Sequence, residues 1–250
     1  MYTAFASVYD RLMDNVDYDK WAQYYAHLLA VSGIKRGRVC ECACGTGSLT
    51  LRLAKLGYQL TGVDLSQEML SVAADKARKS GVTVPFVKQD MCNLTLHRRQ
   101  DAILCTCDGL NYLLKPEKVR KFLTAAYRAL MPGGVLILDI STPYKLENIL
   151  GNRTLGCQDE DVSYVWQNTW HPRTHTVDLN LSIFVKNEEG SYARFEEKQT
   201  QRAHTMEEMK KYLEYTGFTA IRFYGDQTKR APKENEVRWH IRAVKPKEKK

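Results

Sequence analysis

No stretch of this 250-residue sequence approaches the ~20 consecutive apolar residues that a bilayer-spanning helix needs. A helical membrane protein is therefore not expected. The opening residues, MYTAFASVYDRLMDNVDYDKW, carry four aspartates and no apolar block, so a secretory signal is not expected either. The seven cysteines are an odd number, which argues against a complete disulfide framework. Reduced thiols in a cytoplasmic protein are the expectation. Internal repeats are absent, and low complexity is confined to the tail RAVKPKEKK. What remains is a composition with 44% hydrophobic and 26% charged residues, ordinary for a globular chain with a full core. The length suits one mid-sized domain with an insertion, or two small ones.

The net charge is +8 and unevenly placed. Residues 201–250 hold 13 Lys or Arg against 7 Asp or Glu, a surplus of +6. Much of it lies in the tail, which reads as a solvated terminus. Contact with RNA is the alternative, but no nucleic-acid-binding motif accompanies the charge.

Apolar spacing predicts two N-terminal helices, in YTAFASVYDRLM and YDKWAQYYAHLLAVSGI. Strand and helix then alternate. GRVCECA, YQLTGVD, VTVPFVKQD, DAILCTCD and VLILDI read as strands, and Pro85 marks the third as a sheet edge. Helices read from GSLTLRLAKLG, from Ser66 as N-cap, and from Pro116 to Leu130. Near-continuous apolar strands in this order predict an α/β protein with a parallel, doubly wound sheet. After Pro143 the rhythm changes. VSYVWQNTW, TVDLNLSIFVKN and YARFEEKQTQR predict three antiparallel strands. A helix with a capping box at Thr205 and Glu208 follows, then two last strands. The expected organisation is a main domain over 1–145 and 203–250, with an inserted antiparallel β-layer over 146–202.

Cys40, Cys42 and Cys44 fall on one face of the first strand. An extended Cys-x-Cys-x-Cys cannot wrap a tetrahedral ion as a Cys-x2-Cys knuckle does, so no metal is expected and core packing is the reading. The glycines carry more. A strand that ends in Gly45-Thr46-Gly47 and opens a helix lets backbone approach a ligand closely. Asp64, 17 residues beyond Gly47, ends the second strand, where a carboxylate can accept from two ribose hydroxyls. Asp90, between Gln89 and Met91, ends the third and suits an adenine amine and ring face. Dinucleotide binding would favour a third glycine where Thr50 stands, so a nicotinamide oxidoreductase is the lesser alternative.

Taken together, ECACGTG, TGVDLSQEML, VKQDM and LMPGGVLILD resemble, in order over residues 38–140, the motifs of the class I S-adenosylmethionine-dependent methyltransferases. The N-terminal segments and the β-insertion resemble a small bacterial subgroup of these enzymes. One departure is Ala43 where the first glycine usually stands. The resemblance implies a Rossmann-like seven-stranded sheet and S-adenosyl-L-methionine as cofactor. It also implies that the loop Cys44–Gly47 cradles the methionine moiety, with Glu41 near its ammonium group. Asp64 would hold the ribose, Leu65 and Met69 would pack near the adenine, and Asp90 with Met91 would meet its amine and ring. In relatives the N-terminal region folds over the cleft, which points to Tyr2 and Tyr9 as lid residues; helix packing is the plainer role for both.

The fourth-strand end CDGLNY should lie beside the sulfonium. Asp108 and Asn111 are the polar candidates there for orienting cofactor or engaging the acceptor; loop-capping hydrogen bonds are the plainer role for Asn111. No Asn/Asp-Pro-Pro-Tyr box is present, which argues against a nucleobase amine as acceptor. The insertion is expected to roof the acceptor pocket. YARFEEKQTQR resembles a segment in which relatives carry a histidine where Gln199 stands. Arg194 suits an anionic substrate or a surface ion pair, and Trp166 and Trp170 share one strand face, as core or as an aromatic wall. Methyl transfer to a small molecule is the leading expectation. The same chemistry on RNA or protein comes second, and a non-catalytic nucleoside-binding module last. The sequence leaves the acceptor and the oligomeric state open.

Overall fold

A seven-stranded mixed sheet forms the centre of the computed structural model, which describes residues 3–14 and 16–248. The strands are β1 (Arg38–Cys42), β2 (Gln59–Asp64), β3 (Phe86–Lys88), β4 (Gln100–Cys105), β5 (Leu130–Ser141), and, after an excursion, β10 (Thr219–Tyr224) and β11 (Arg238–Val244). Their order is β10-β11-β5-β4-β1-β2-β3, with β1 to β5 parallel and β11 antiparallel to both its neighbours. β3 lies at the edge, as Pro85 suggested.

Alternation along the strands explains the near-continuous apolar runs. Cys40, Cys42, Ile103, Cys105, Leu136 and Leu138 face α5 (Pro116–Ala129) and α6 (Met206–Thr216). Val39, Ala102, Leu104, Val135 and Ile137 face α2 (Tyr18–Ala30) and α3 (Ser48–Lys55). Both faces are buried, so both residue parities must be apolar. The strand cysteines are part of this packing: Cys42 and Cys105 are register partners on neighbouring strands, and both are fully buried. Ser66 caps α4 (Gln67–Lys79), its side chain accepting from the Met69 amide. Thr205 caps α6 through the Glu208 amide, but the Glu208 carboxylate binds Arg202 and Tyr212 instead of closing the expected box.

The second sheet holds four antiparallel strands, one more than expected: β6 (Thr154–Cys157), β7 (Val162–His171), β8 (Thr176–Lys186) and β9 (Tyr192–Arg202), in that order. A π-helical turn at Lys145–Leu150 leads into it. It packs on α1 (Thr3–Leu12) through Phe5, Ala6 and Val8 against Val162 and Ile183. β5 also begins earlier than expected. Pro132-Gly133-Gly134 is not a turn before the strand but a bulge within it, tied to the end of β11 by the Gly133 amide to Lys245 O (2.9 Å) and the Lys245 amide to Gly134 O (2.9 Å).

Candidate active site

After β3 the chain crosses to the other side of β1 to form β4, so the strand order reverses between β1 and β4. The crevice outside the carboxyl ends at such a reversal is where doubly wound sheets bind ligands. Here it holds a cavity of about 470 Å³, floored by the loops after β1, β2, β3 and β4 and walled by α1 and α2. The four-stranded sheet roofs it with Tyr164, Trp166, Leu179, Leu181, Glu197, Gln199 and Gln201.

The loop after β1 runs through three left-handed residues, Ala43 (φ 54°), Gly45 (φ 53°) and Gly47 (φ 71°). A side chain on Gly45 would meet no protein atom within 4 Å, and the residue lines the cavity. Gly47 differs from expectation. It does not line the cavity; it precedes α3, and a Cβ there would come within 3.1 Å of Ala73 and the Phe86 ring. Its glycine serves packing. Ala43 tolerates the left-handed region at a typical cost of about 1–2 kcal/mol, and the bare Cα of Gly109 leaves room for its methyl group.

Glu41, 2% exposed, is the most isolated carboxylate of the floor. It accepts from the Thr106 hydroxyl (2.7 Å) and from Thr50, and no cation pairs with it among the described residues. Thr50, which occupies the third fingerprint position, thus buttresses the acid. Burial pushes the Glu41 carboxyl up to about 7, with Thr50 and Thr106 pulling against it. Asp64 accepts from the amides of Gly45 (2.8 Å) and Ser66 (2.9 Å), one on each oxygen, leaving further lone-pair capacity on both. Burial raises its pKa and these amides oppose the rise. The Gln89 amide donates to the Asp64 carbonyl at 2.9 Å, which brings the second and third loops side by side. Gln89, Asp90 and Met91 line the cavity with Asp64 and Glu41. Asp90 caps a short turn through the Cys92 amide (2.8 Å), and the Gln89 amide group is held by the Thr95 backbone. Leu65, also lining, is 63% exposed, an unusual state for an apolar side chain beside a cavity.

The loop after β4 is shaped by Asp139 of β5. Its carboxylate accepts from the amides of Cys107 (2.8 Å) and Asp108 (3.0 Å), holding both residues at left-handed φ values of 53° and 64°. Arg238 of β11 spans the pair, donating to Asp108 (2.5 and 3.1 Å) and to Asp139, with its guanidinium 5.0 Å from the Trp21 ring. The Tyr25 hydroxyl completes Asp139 at 2.6 Å. Burial alone would raise the Asp108 carboxyl, but Arg238 and Lys145 outweigh it and hold it down at about 2. Asp108 lines the cavity as a permanently charged, fully engaged group, unsuited to take a proton.

Asn111 corrects the sequence expectation. It is fully buried and does not line the cavity. Its amide donates to Ser141 O (3.0 Å) and Arg202 O (2.9 Å), and its oxygen accepts from the Ser141 amide (2.9 Å). Every strong hydrogen-bonding direction ties the main sheet to the end of β9, so Asn111 positions the roof.

Tyr9 of α1 lines the cavity, edge-on to Phe5 at 5.4 Å, and Tyr2 lies outside the described residues. The anchoring of α1 was not foreseen from sequence. Asp10 accepts from Thr46 (2.7 Å) and Ser48 (3.2 Å) and pairs with Lys76 of α4 at 2.7 Å. Thr46 thus joins the helix to the glycine loop. Met69 lines the cavity and also packs against α1. In the roof, Gln199 accepts from Tyr112 at 2.6 Å, whereas Arg194 points away and pairs with Glu196 at 2.6 Å. Trp166 lines the cavity, whereas Trp170 does not and packs with the cluster around Leu146 and Leu150 and edge-on to His175.

The sheet order and this crevice define a Rossmann-like protein with a nucleoside-type site. Comparison with known proteins narrows the class. A family model described as "Methyltransferase domain" matches residues 39–134. YqeM of Bacillus subtilis (strain 168), a methyltransferase by name, is 37% identical over 248 residues, covering 99% of this chain and 98% of that one. The crystal structure of an S-adenosylmethionine-dependent methyltransferase from Clostridium acetobutylicum ATCC 824 superposes with a TM-score of 0.88 at 33% identity, covering 98% and 99% of the two chains. At 21% identity the likeness to CalS10, an amino pentose methyltransferase from Micromonospora echinaspora solved with its cofactor, is one of fold, with a TM-score of 0.76 over 95% and 96% of the chains. The chain belongs to the class I S-adenosylmethionine-dependent methyltransferases, and its cofactor is S-adenosyl-L-methionine.

Proposed function

We propose that the enzyme methylates a small molecule held between the loops of the main sheet and the four-stranded roof. The observation that carries this reading is the shared cavity: carboxylates suited to an adenosyl cofactor and side chains of the second sheet line one space of about 470 Å³. That volume is typical of small-ligand sites. The two basic side chains in it, Lys145 and Arg238, are occupied by Asp108, so no row of free cations is offered to a phosphate backbone. Among curated relatives, the glycine/sarcosine N-methyltransferase of Halorhodospira halochloris, 36% identical over 52% of this chain, acts by name on small molecules.

In this reading the open side of Gly45 admits the methionine moiety against bare backbone, beside Cys44 and Thr46. Glu41 receives its ammonium group, Asp64 the ribose hydroxyls, and Asp90 the adenine amine, with Leu65, Met69 and Met91 against the ring. When bound, the cofactor supplies a methyl group on a sulfonium that already leaves readily. Aligning the acceptor then carries much of the catalysis. Asp108 and Arg238 fix the loop beneath the acceptor, and Tyr9 on α1 closes the cavity against water.

Glu41 gives a pH signature. Its carboxyl titrates near 7 in the free protein, and a bound ammonium favours the ionised form. Affinity for S-adenosylhomocysteine should therefore fall below pH 7, by up to about tenfold per unit, with protons released on binding, and level off above it. Calorimetry at pH 6 and 8 in two buffers of different ionisation enthalpy checks this. Equal affinities and no proton release would remove Glu41 from the ammonium site.

The function itself is tested by S-adenosylhomocysteine release from the purified chain with S-adenosylmethionine. Turnover should appear with a low-molecular-mass metabolite extract, and NAD should not bind. Turnover that requires RNA, with an affinity falling steeply as salt rises, would transfer the enzyme to the nucleic-acid class.

A further inference from the structure

The roof brings one charged side chain to the cavity, Glu197 of β9. β9 presents Glu197, Gln199 and Gln201 to the cavity on one face, their intervening neighbours pointing the other way. Strand register places Glu197 in a cross-strand row with Leu181 and Trp166, so a carboxylate ends an otherwise apolar line. Glu197 is only 4% exposed. Among the described residues no lysine, arginine or histidine pairs with it. Its hydrogen-bond partner is the Gln199 amide, at a long 3.4 Å. Gln199 is itself held by Tyr112, which aims that amide at Glu197.

Neither cation of the cavity is spare. Lys145 lies 3.8 Å from Asp108, and Arg238 is shared between Asp108 and Asp139. A buried carboxylate with one weak donor is costly unless something brings it a positive charge. Burial accordingly raises its pKa. An anionic acceptor would meet Glu197 as a like charge and find both cations already neutralised.

We propose that Glu197 recognises the methyl acceptor, and that this acceptor is a compact molecule bearing a protonatable aliphatic amine on an apolar body. The body lies along Trp166 and Leu181, and the ammonium group pairs with Glu197. Resting on the methyl-transfer reading above, the step balances as follows. The ammonium group gives one N–H proton to the Glu197 carboxylate, freeing the nitrogen lone pair. That pair forms the N–C bond to the methyl carbon while the C–S electrons return to sulfur as a neutral thioether. The product is the N-methylammonium form, and Glu197 releases its proton to solvent.

The test uses the full chain saturated with S-adenosylhomocysteine and two matched probe pairs, benzylamine with benzyl alcohol and cyclohexylamine with cyclohexanol. Calorimetry should find each amine bound at least tenfold more tightly than its alcohol. In Glu197→Gln that preference should vanish, while S-adenosylhomocysteine affinity stays within twofold and thermal unfolding shows a folded chain. Glu197→Asp should retain part of the preference. Alcohols bound as well as amines, amine affinity unmoved by Glu197→Gln, or no amine binding to a chain that binds S-adenosylhomocysteine would each overturn the proposal. Failure to bind S-adenosylhomocysteine would instead overturn the cofactor reading; amine selectivity on the free chain would still decide the role of Glu197.

Discussion

Replacing Asp64 with alanine is expected to raise the dissociation constant for S-adenosylhomocysteine ten- to a hundredfold. Two effects combine. The ribose hydroxyls lose charge-assisted hydrogen bonds, typically about 1.5–3 kcal/mol when the acceptor is ionised. The amides of Gly45 and Ser66 also lose their acceptor, so the glycine loop and the start of α4 are no longer held together. Asp64→Asn, which keeps one oxygen, should lose less. Calorimetry on folded variants checks both, and an alanine variant within twofold of the parent would refute the ribose assignment.

The second large effect concerns stability. Arg238 neutralises two carboxylates, of which Asp139 is fully buried. Removing one partner of such a cluster typically costs about 3–5 kcal/mol, because the charges left behind are neither solvated nor paired. Arg238→Met should show that loss in urea denaturation at pH 8. The pH dependence discriminates cause. With Arg238 present, Asp108 titrates near 2, below its unfolded value of 3.8, so its contribution is complete above that value and lost only as pH falls through about 2. Without Arg238, burial raises the Asp108 carboxyl against only Lys145 and Ser141, so its ionised form is less favoured in the fold and stability declines as pH rises. The deficit of Arg238→Met should therefore be smaller at pH 5 than at pH 8. A variant within 1 kcal/mol of the parent at both pH values would contradict the cluster's role.

Which parts of this were legible in the sequence follows from the range of the interactions. Strands buried on both faces announce themselves through continuous apolar runs, and Ser66 and Thr205 announce caps, because these are local constraints. That Asp64 and Asp90 line one cavity was legible because each stands at or beside the end of a parallel strand, where order in the chain is also order along the crevice, whereas Glu41 was expected there through the family resemblance. β6 was not: its four residues include Gly156 and are mostly exposed, leaving no alternation to read. Pro132-Gly133-Gly134 reads as a turn locally, and only pairing with Lys245 makes it a bulge. Asn111 had the right residue type at the right loop, but its neighbours Ser141 and Arg202 come from 30 and 91 residues away and turn it into a tie. Arg238 lies 130 residues beyond Asp108 in a strand that otherwise reads as structural. The anchoring of α1 by Asp10 joins three segments and leaves no local trace.

A crystal structure of the chain with S-adenosylhomocysteine bound tests most directly whether the loops after β1, β2 and β3 jointly hold the adenosyl group. Ribose hydroxyls within hydrogen-bonding distance of Asp64, an adenine amine at Asp90 and an ammonium group at Glu41 are expected. A nucleoside seated elsewhere, with Asp64 and Asp90 both facing solvent, would contradict it.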